Sequence, residues 1–214
     1  MPFIRQAPQI PGDFEATCLE VLLKYGADTS HARKVADLAG QIFDELAPLH
    51  HGSRTERDLL VAAALLHDVG HLVGERDHHR HSRYLIRRDS LLGGWSPEAR
   101  DWVGILAANH RKVREVAMKK VPKPVREAAR LWTSILRIAD VLDRDHRQEA
   151  RIWTVDIPLA DARLVFQLAH VDLEAMGKAL PRKAAWGARI WNRDIVFACG
   201  ALQIEVPRPP VPAS

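Results

Sequence analysis

The stretch Leu59–His81, LLVAAALLHDVGHLVGERDHHRH, constrains this chain more than any other. It opens as an uninterrupted run of Leu, Ala and Val, delivers an adjacent His67–Asp68 pair, and is stopped at Gly70. A helix that is apolar on every side is a core element, so His67 and Asp68 are carried inward rather than to the surface. Buried ionisable groups are costly unless they are paired or bind metal. Four more histidines, His71, His78, His79 and His81, follow directly, out of eleven in the chain. The fold must therefore supply partners for the His–Asp pair.

A length of 214 residues suits one domain, or one domain with a small appendage, and allows a sizeable core. No apolar run approaches the roughly 18–20 residues that cross a bilayer, so no membrane is expected. The opening MPFIRQAPQIPG has no apolar signal region. Cys18 and Cys199 lie far apart in core-like segments and read as reduced thiols, which gives the cytoplasm as the expected compartment. A net charge of +4 favours anionic partners without choosing among them.

Helical spacing recurs along most of the chain. Residues 1–12 read as an irregular arm and Asp13–Lys24 as a first helix stopped at Gly26. Ser30 is the expected cap of a second helix whose apolar face of Val35, Leu38, Ile42 and Phe43 includes His31 one turn earlier. Thr55, with Asp58 three residues on, is the expected cap of the central helix. Arg76–Arg88 reads as a helix on which His81 aligns with Leu85. Ser96–Pro97–Glu98 starts another, ending at His110 one turn after Leu106. A basic, proline-containing loop over 111–126 precedes a helix over Glu127–Arg144 that carries Asp140 near its inward face. Beyond about residue 150, Ile152–Ile157, Leu164–Ala169 and Leu202–Val206 read as strands, and Asp172–Ala198 as a helix. The expected organisation is an arm (1–12), a helical body (13–150), a small α+β appendage (151–207) and a Pro-rich tail (208–214).

Four helices thus present His31, His67–Asp68, His110 and Asp140 beside apolar faces, and His81 adds a fifth. One such residue is ordinarily a satisfied core group; several on separate helices of one bundle point to a metal site built from inward side chains. Imidazole and carboxylate suit divalent ions of the manganese-to-zinc series.

The order H…HD…D resembles the HD superfamily of metal-dependent phosphohydrolases. HARKVADLAGQIFDELAPLHH, LLVAAALLHDVGH, HHRHSRYLIRRD and LRIADVLDRDH resemble, more closely, the helical C-terminal HD region of the exopolyphosphatase/guanosine pentaphosphate phosphatase family. The resemblance runs from about residue 14 through the α+β tail. It implies a mainly α fold, an HD-domain helical bundle with a small C-terminal α+β appendage. It implies one or two divalent ions (Mn, Fe, Zn, Ni, Co or Mg), a first bound by His31, His67, Asp68 and Asp140. A second would use His81 and His110, with Asp68 bridging, at the roughly 3.5–4 Å spacing of two-metal sites. The long members' phosphatase chemistry is attributed to actin-like domains, which nothing here resembles, so exopolyphosphatase activity is not carried over.

Asp68 with its metals is the expected centre of hydrolysis, and His71, three residues on, stands where related phosphodiesterases place a lysine that donates a proton or contacts phosphate. His78 and His79 rank behind His81 as ligands. Arg76, Arg80, Arg83, Arg87 and Arg88, with Lys112, Arg114, Lys119, Lys120 and Lys123, are expected to line a basic mouth over the metals. Arg83, Lys112 and Arg144 are the expected substrate contacts, Arg144 lying one turn past Asp140, while Asp143 pairs with a neighbour. The expected partner is a phosphorylated small molecule or polyphosphate. No interleaved aromatic–basic pattern favours nucleic acid, and a homodimer is left open. The leading function is a metal-dependent phosphohydrolase; the rival is a non-catalytic module that senses a phosphorylated ligand or docks a phosphatase partner.

Overall fold

Every residue from Leu59 to Leu66 is buried, and helix α4 (Arg54–Leu66) accordingly runs through the middle of the molecule. The computed structural model describes residues 7–113, 118, 123–158 and 161–210. Around α4 lie α1 (Phe14–Lys24), α2 (Thr29–Glu45), α6 (Pro97–Asn109) and α7 (Lys123–Leu142), all in contact with it. A short α3 (Ala47–His50) follows α2, and a 3-10 turn at Val69–Leu72 leads to α5 (His78–Arg88), which packs on α6. Half of the predicted loop over 111–126 lies outside the described residues, and its last four residues, 123–126, are already helical in α7.

Local chemistry places the helix caps two residues before the expected ones. Asp28, not Ser30, caps α2, its Oδ1 accepting the His31 N–H at 3.0 Å. Ser53, not Thr55, caps α4 in a reciprocal box: Ser53 Oγ accepts the Glu56 N–H at 3.2 Å, and Glu56 Oε2 accepts the Ser53 N–H at 2.8 Å. α4 ends at Leu66, so the turn at Val69–Leu72 begins before Gly70 is reached.

The C-terminal part holds more sheet than expected. Strands β1 (Arg151–Asp156), β2 (Arg163–Ala169), β3 (Asp194–Cys199) and β4 (Leu202–Val206) form one sheet in that order. The predicted helix over Asp172–Ala198 is only α8 (Ala179–Trp191); Asn192, at φ +51°, ends it, and the chain continues as β3. Four consecutive buried residues, Ile195–Ala198, make β3 a central strand, and such a run cannot be told from a buried helical segment by periodicity. β2 and β3 are parallel, with Phe166 opposite Phe197, so a crossover must join them, and α8 supplies it. α8 packs on α7, and one hydrophobic core joins sheet and helices. The fold is mainly helical with a small α+β part.

One tether holds the end of α1 to the α5–α6 connection. Buried Asp89 accepts from Lys24 Nζ at 2.8 Å, from Tyr25 Oη at 2.5 Å and from the Leu91 N–H at 2.8 Å. Burial works to raise its pKa, but the Lys24 and Tyr25 bonds outweigh burial and lower it. A depressed folded pKa contributes stability above the unfolded value near 3.9, lost as pH falls through the folded one. The melting-temperature gap between the wild type and Asp89→Asn is therefore expected to be widest at neutral pH and to narrow below about pH 4. A gap independent of pH would contradict the tether.

Candidate metal centre

Where α4 ends, four histidines converge with two carboxylates. Each ring is held at Nδ1 by a local acceptor: His67 by Ala64 O at 2.7 Å, His110 by Ala107 O at 2.7 Å, His78 by Glu75 O at 3.0 Å and His31 by the Asp143 carboxylate at 2.8 Å. A carbonyl or carboxylate oxygen only accepts, so each Nδ1 carries the hydrogen and each Nε2 keeps a lone pair. Such outer hydrogen bonds are how metal-binding histidines are oriented. His50 shows the contrast: its Nε2 donates to Phe43 O at 2.8 Å and its Nδ1 accepts the Gly52 N–H at 2.7 Å, leaving no ring nitrogen for a ligand.

The lone pairs gather in two adjoining groups that share Asp68. In the first, Asp140 Oδ1 lies 3.9 Å from His31 Nε2 and 3.8 Å from His67 Nε2, and Asp68 Oδ2 lies 3.4 Å from His67 Nε2. In the second, Asp68 Oδ1 lies 3.3 Å from His78 Nε2 and 3.4 Å from His110 Nε2, and those two nitrogens are 3.2 Å apart. His67 Nε2 and Asp68 Oδ1 are buried without a hydrogen-bond partner among the described residues. A point equidistant from the second trio lies about 2 Å from each atom, the length of a zinc–ligand bond. The donor set therefore fits divalent cations.

The electrostatics agree with that fit. Burial pushes the His110 pKa down to about 3 and also lowers those of His31 and His78, which keeps the rings neutral. For Asp68 burial opposes ionisation, yet His67, His71, His110 and His78 together hold its carboxyl far below the ordinary range. Asp140 behaves likewise: burial opposes ionisation, and Lys183, His110 and His67 bring it down to about 2.

The structure brings together five of the six expected ligands, His31, His67, Asp68, His110 and Asp140; His81 is not among them. His81 is half-buried with its Cβ against Gly70, and His78 fills the position expected of it. The inward face of α5 is His78–Ser82–Ile86, spaced by four, one helical position out of phase with His81–Leu85. His71 is exposed, with Nε2 3.4 Å from Asp68 Oδ2 and its ring stacked 3.8 Å from that of His78. Its hydrogen bond to Asp68 raises its pKa against burial.

Asp68, His78, His110 and Asp140 border a cavity of about 740 Å³ whose other walls include Arg111, Lys112, Arg182, Lys183 and Arg189. Of the three expected substrate contacts, Lys112 lines this cavity. Arg83 lines a different one, and Arg144 is exposed in the turn after α7 and borders neither. Arg114, Lys119 and Lys120 lie outside the described residues.

Residues 15–175 match the family model for Ppx/GppA phosphatase, domain III. The chain belongs to this family. Among its relatives, guanosine-5'-triphosphate,3'-diphosphate pyrophosphatase of Aeromonas hydrophila subsp. hydrophila is 32% identical over 132 residues, which is 60% of this chain and 26% of that protein. The chain thus spans about a quarter of the relative's length.

The domain III match ends before α8, yet α8 closes one side of the centre. Lys183 Nζ pairs with Asp140 Oδ2 and donates to His110 O at 3.0 Å. Asp140 is thereby divided, with Oδ2 on the lysine and Oδ1 facing His31 and His67. Arg137 staples the helices together, donating to the carbonyls of His110 (3.0 Å), Arg111 (2.9 Å), Lys183 (3.3 Å) and Arg182 (3.4 Å). Burial lowers its pKa to about 10, which still leaves it charged at neutral pH. Asp143 and His146 were also not expected here: Asp143 orients His31, and His146 stacks on His31 at 4.0 Å while pairing with Asp28 at 2.8 Å. The one sequence signal for them was LRIADVLDRDH itself, in which Asp143 falls one turn after Asp140.

Proposed function

We propose that this chain is a metal-dependent phosphohydrolase of HD type that cleaves a phosphoester or phosphoanhydride bond in a nucleotide or polyphosphate-like anion. The observation that carries this reading is the convergence of four histidine Nε2 atoms and two carboxylates beside a cavity walled by cations. His31, His67, Asp68 and Asp140 would hold one ion and Asp68, His78 and His110 a second, with Asp68 contributing one oxygen to each. Divalent ions there would polarise a water and offset charge on the phosphoryl group. Arg111, Lys112, Arg182 and Arg189 hold the phosphate oxygens, as charge-assisted donors do. Lys183 fixes the rotation of Asp140. His71, at the exposed edge of the centre, donates a proton to the leaving oxygen. Membership of the Ppx/GppA domain III family and likeness to a guanosine-nucleotide pyrophosphatase support a phosphorylated substrate.

A second reading is a non-catalytic module for a phosphorylated ligand or a phosphatase partner. Lys183 favours it, because its ammonium already neutralises Asp140. The two readings separate on metal analysis of the purified chain, beside assays on p-nitrophenyl phosphate, tripolyphosphate and guanosine 5'-triphosphate 3'-diphosphate with manganese, cobalt or nickel. The enzyme reading expects bound metal and turnover that chelation abolishes and metal restores. Ligand binding without turnover supports the module, and a chain with neither metal nor turnover ends the enzyme reading.

A further inference from the structure

The arginines of α5 do not join the metal centre. His78, Ser82 and Ile86 face inward, while Arg80, Arg83, Arg87 and Arg88 recur at three- and four-residue spacing on another face with Tyr84. These four arginines line a cavity of about 360 Å³ whose α6 side is Ala108 and Asn109, and no carboxylate lines it. It shares no lining residue with the larger cavity. Neighbours in sequence face opposite ways, His79 and Asn109 on this side, His78 and His110 on the other. The α5 and α6 backbones are thus the partition between the two cavities.

Within this cavity the charge is unevenly neutralised. Arg87 pairs with Asp101 at 2.6 Å, and Arg80 reaches Asp77 only at 3.9 Å across an exposed gap. Arg83 and Arg88 have no ion pair or hydrogen bond among the described residues. Arg83 is nevertheless half-buried and fixed by packing: a Cβ at Gly104 would come within 3.2 Å of its Cγ, so the glycine opens the groove in α6 along which the arginine stem lies. Burial, and then Arg87, lower the Arg83 pKa, and the more distant Asp101 offsets only part of that. A rigid guanidinium beside three others in a concave wall focuses positive potential and offers paired N–H donors, the arrangement that suits phosphate oxygens. The volume is at the lower end for small-molecule sites.

We propose that the cavity between α5 and α6 is a second anion site, distinct from the metal centre, that takes a short oligophosphate, free or as the tail of a nucleotide, on Arg80, Arg83, Arg87 and Arg88. This inference goes beyond the proposed hydrolysis and does not depend on it.

The test is isothermal titration of the full chain, stripped of metal with EDTA, using tripolyphosphate and a guanosine nucleotide with the same number of phosphates. Arg83→Gln/Arg88→Gln removes the two cations of this cavity that have no ion pair or hydrogen bond among the described residues, and Arg111→Gln/Arg189→Gln removes any phosphate site in the larger cavity; thermal melts establish that each variant is folded. Tripolyphosphate affinity of the α5–α6 site is expected to fall at least about tenfold in the first variant, the effect of losing charge-assisted hydrogen bonds; the second variant gives up whatever the larger cavity binds and keeps this site. Equal binding of both probes marks a free phosphate chain as the ligand, and tighter binding of the nucleotide marks a nucleotide; either supports the site. No binding to wild type, wild-type affinity in Arg83→Gln/Arg88→Gln, or loss confined to Arg111→Gln/Arg189→Gln overturns it.

Discussion

Replacing Asp68 with asparagine is expected to empty both halves of the proposed metal centre while leaving the fold in place. The carboxylate directs Oδ2 towards His67 and His71 and Oδ1 towards His78 and His110. Asparagine offers one neutral oxygen and an amide whose hydrogens point at nitrogen lone pairs, so the metal-free protein gains a donor exactly where the ions lose a charge. Hydrolysis should fall by more than the roughly 10–100-fold that follows loss of an outer-shell partner. A cation at about a hundred times its dissociation constant stabilises the folded state by about 2.7 kcal/mol. For a chain of this size that raises the wild-type melting temperature by roughly 5–10 °C, and Asp68→Asn should show no such rise. His78→Ala should lose most of the metal-dependent rise, whereas His81→Ala should keep it. A full rise in Asp68→Asn, or its loss in His81→Ala alone, would refute the assignment.

Gly70→Ala is expected to be the most disruptive single methyl in the chain. A Cβ there would lie 2.2 Å from His78 O and 2.4 Å from Ser82 N, both backbone atoms with no side-chain freedom to yield. The same contact carries the hydrogen bond from the Gly70 N–H to Ser82 Oγ at 3.0 Å, and Ser82 Oγ donates onward to His78 O at 3.1 Å. To admit the methyl, α5 must move away from the Val69–Leu72 turn, and His78 moves with it. The cost should exceed the roughly 1–3 kcal/mol of ordinary overpacking, lowering the melting temperature by about 10 °C. Ser82→Ala, which removes both of these hydrogen bonds without a clash, should cost less, roughly 1–3 kcal/mol. Below its melting temperature Gly70→Ala should also bind metal more weakly, because His78 no longer reaches Asp68. A melt within a degree or two of wild type, roughly the resolution of such scans, would show that α5 yields freely.

Much of this was legible in the chain because local rules determine it. Leu59–Leu66 is apolar on all sides, so α4 had to be central and His67 had to arrive in the core, with Asp68 at the core's edge facing the cavity. His31, His110 and Asp140 each extend an apolar helix face, and a periodicity of 3.6 residues reports such a face directly. On α5 the same rule had little to work with. Leu85 and Ile86 are its only aliphatic residues, so the inward direction was free to rotate by one position, about 100°, and packing against Gly70 and α6 chose Ile86, Ser82 and His78. That rotation took His81 out of the centre and carried the arginines to a different cavity.

Other features were out of reach of any local pattern. Lys183 meets Asp140 across 43 positions, and His31 meets Asp143 across 112, distances over which composition and periodicity carry no information. β3 looks helical in sequence because a strand buried on both faces has no alternation to show. The sequence by itself determined the helical body, the inward-carried His67–Asp68 pair and the family. The tertiary structure decided which histidine of α5 faces that pair, that a lysine from the crossover helix divides Asp140, and where the arginines open, because each is a matter of which faces meet.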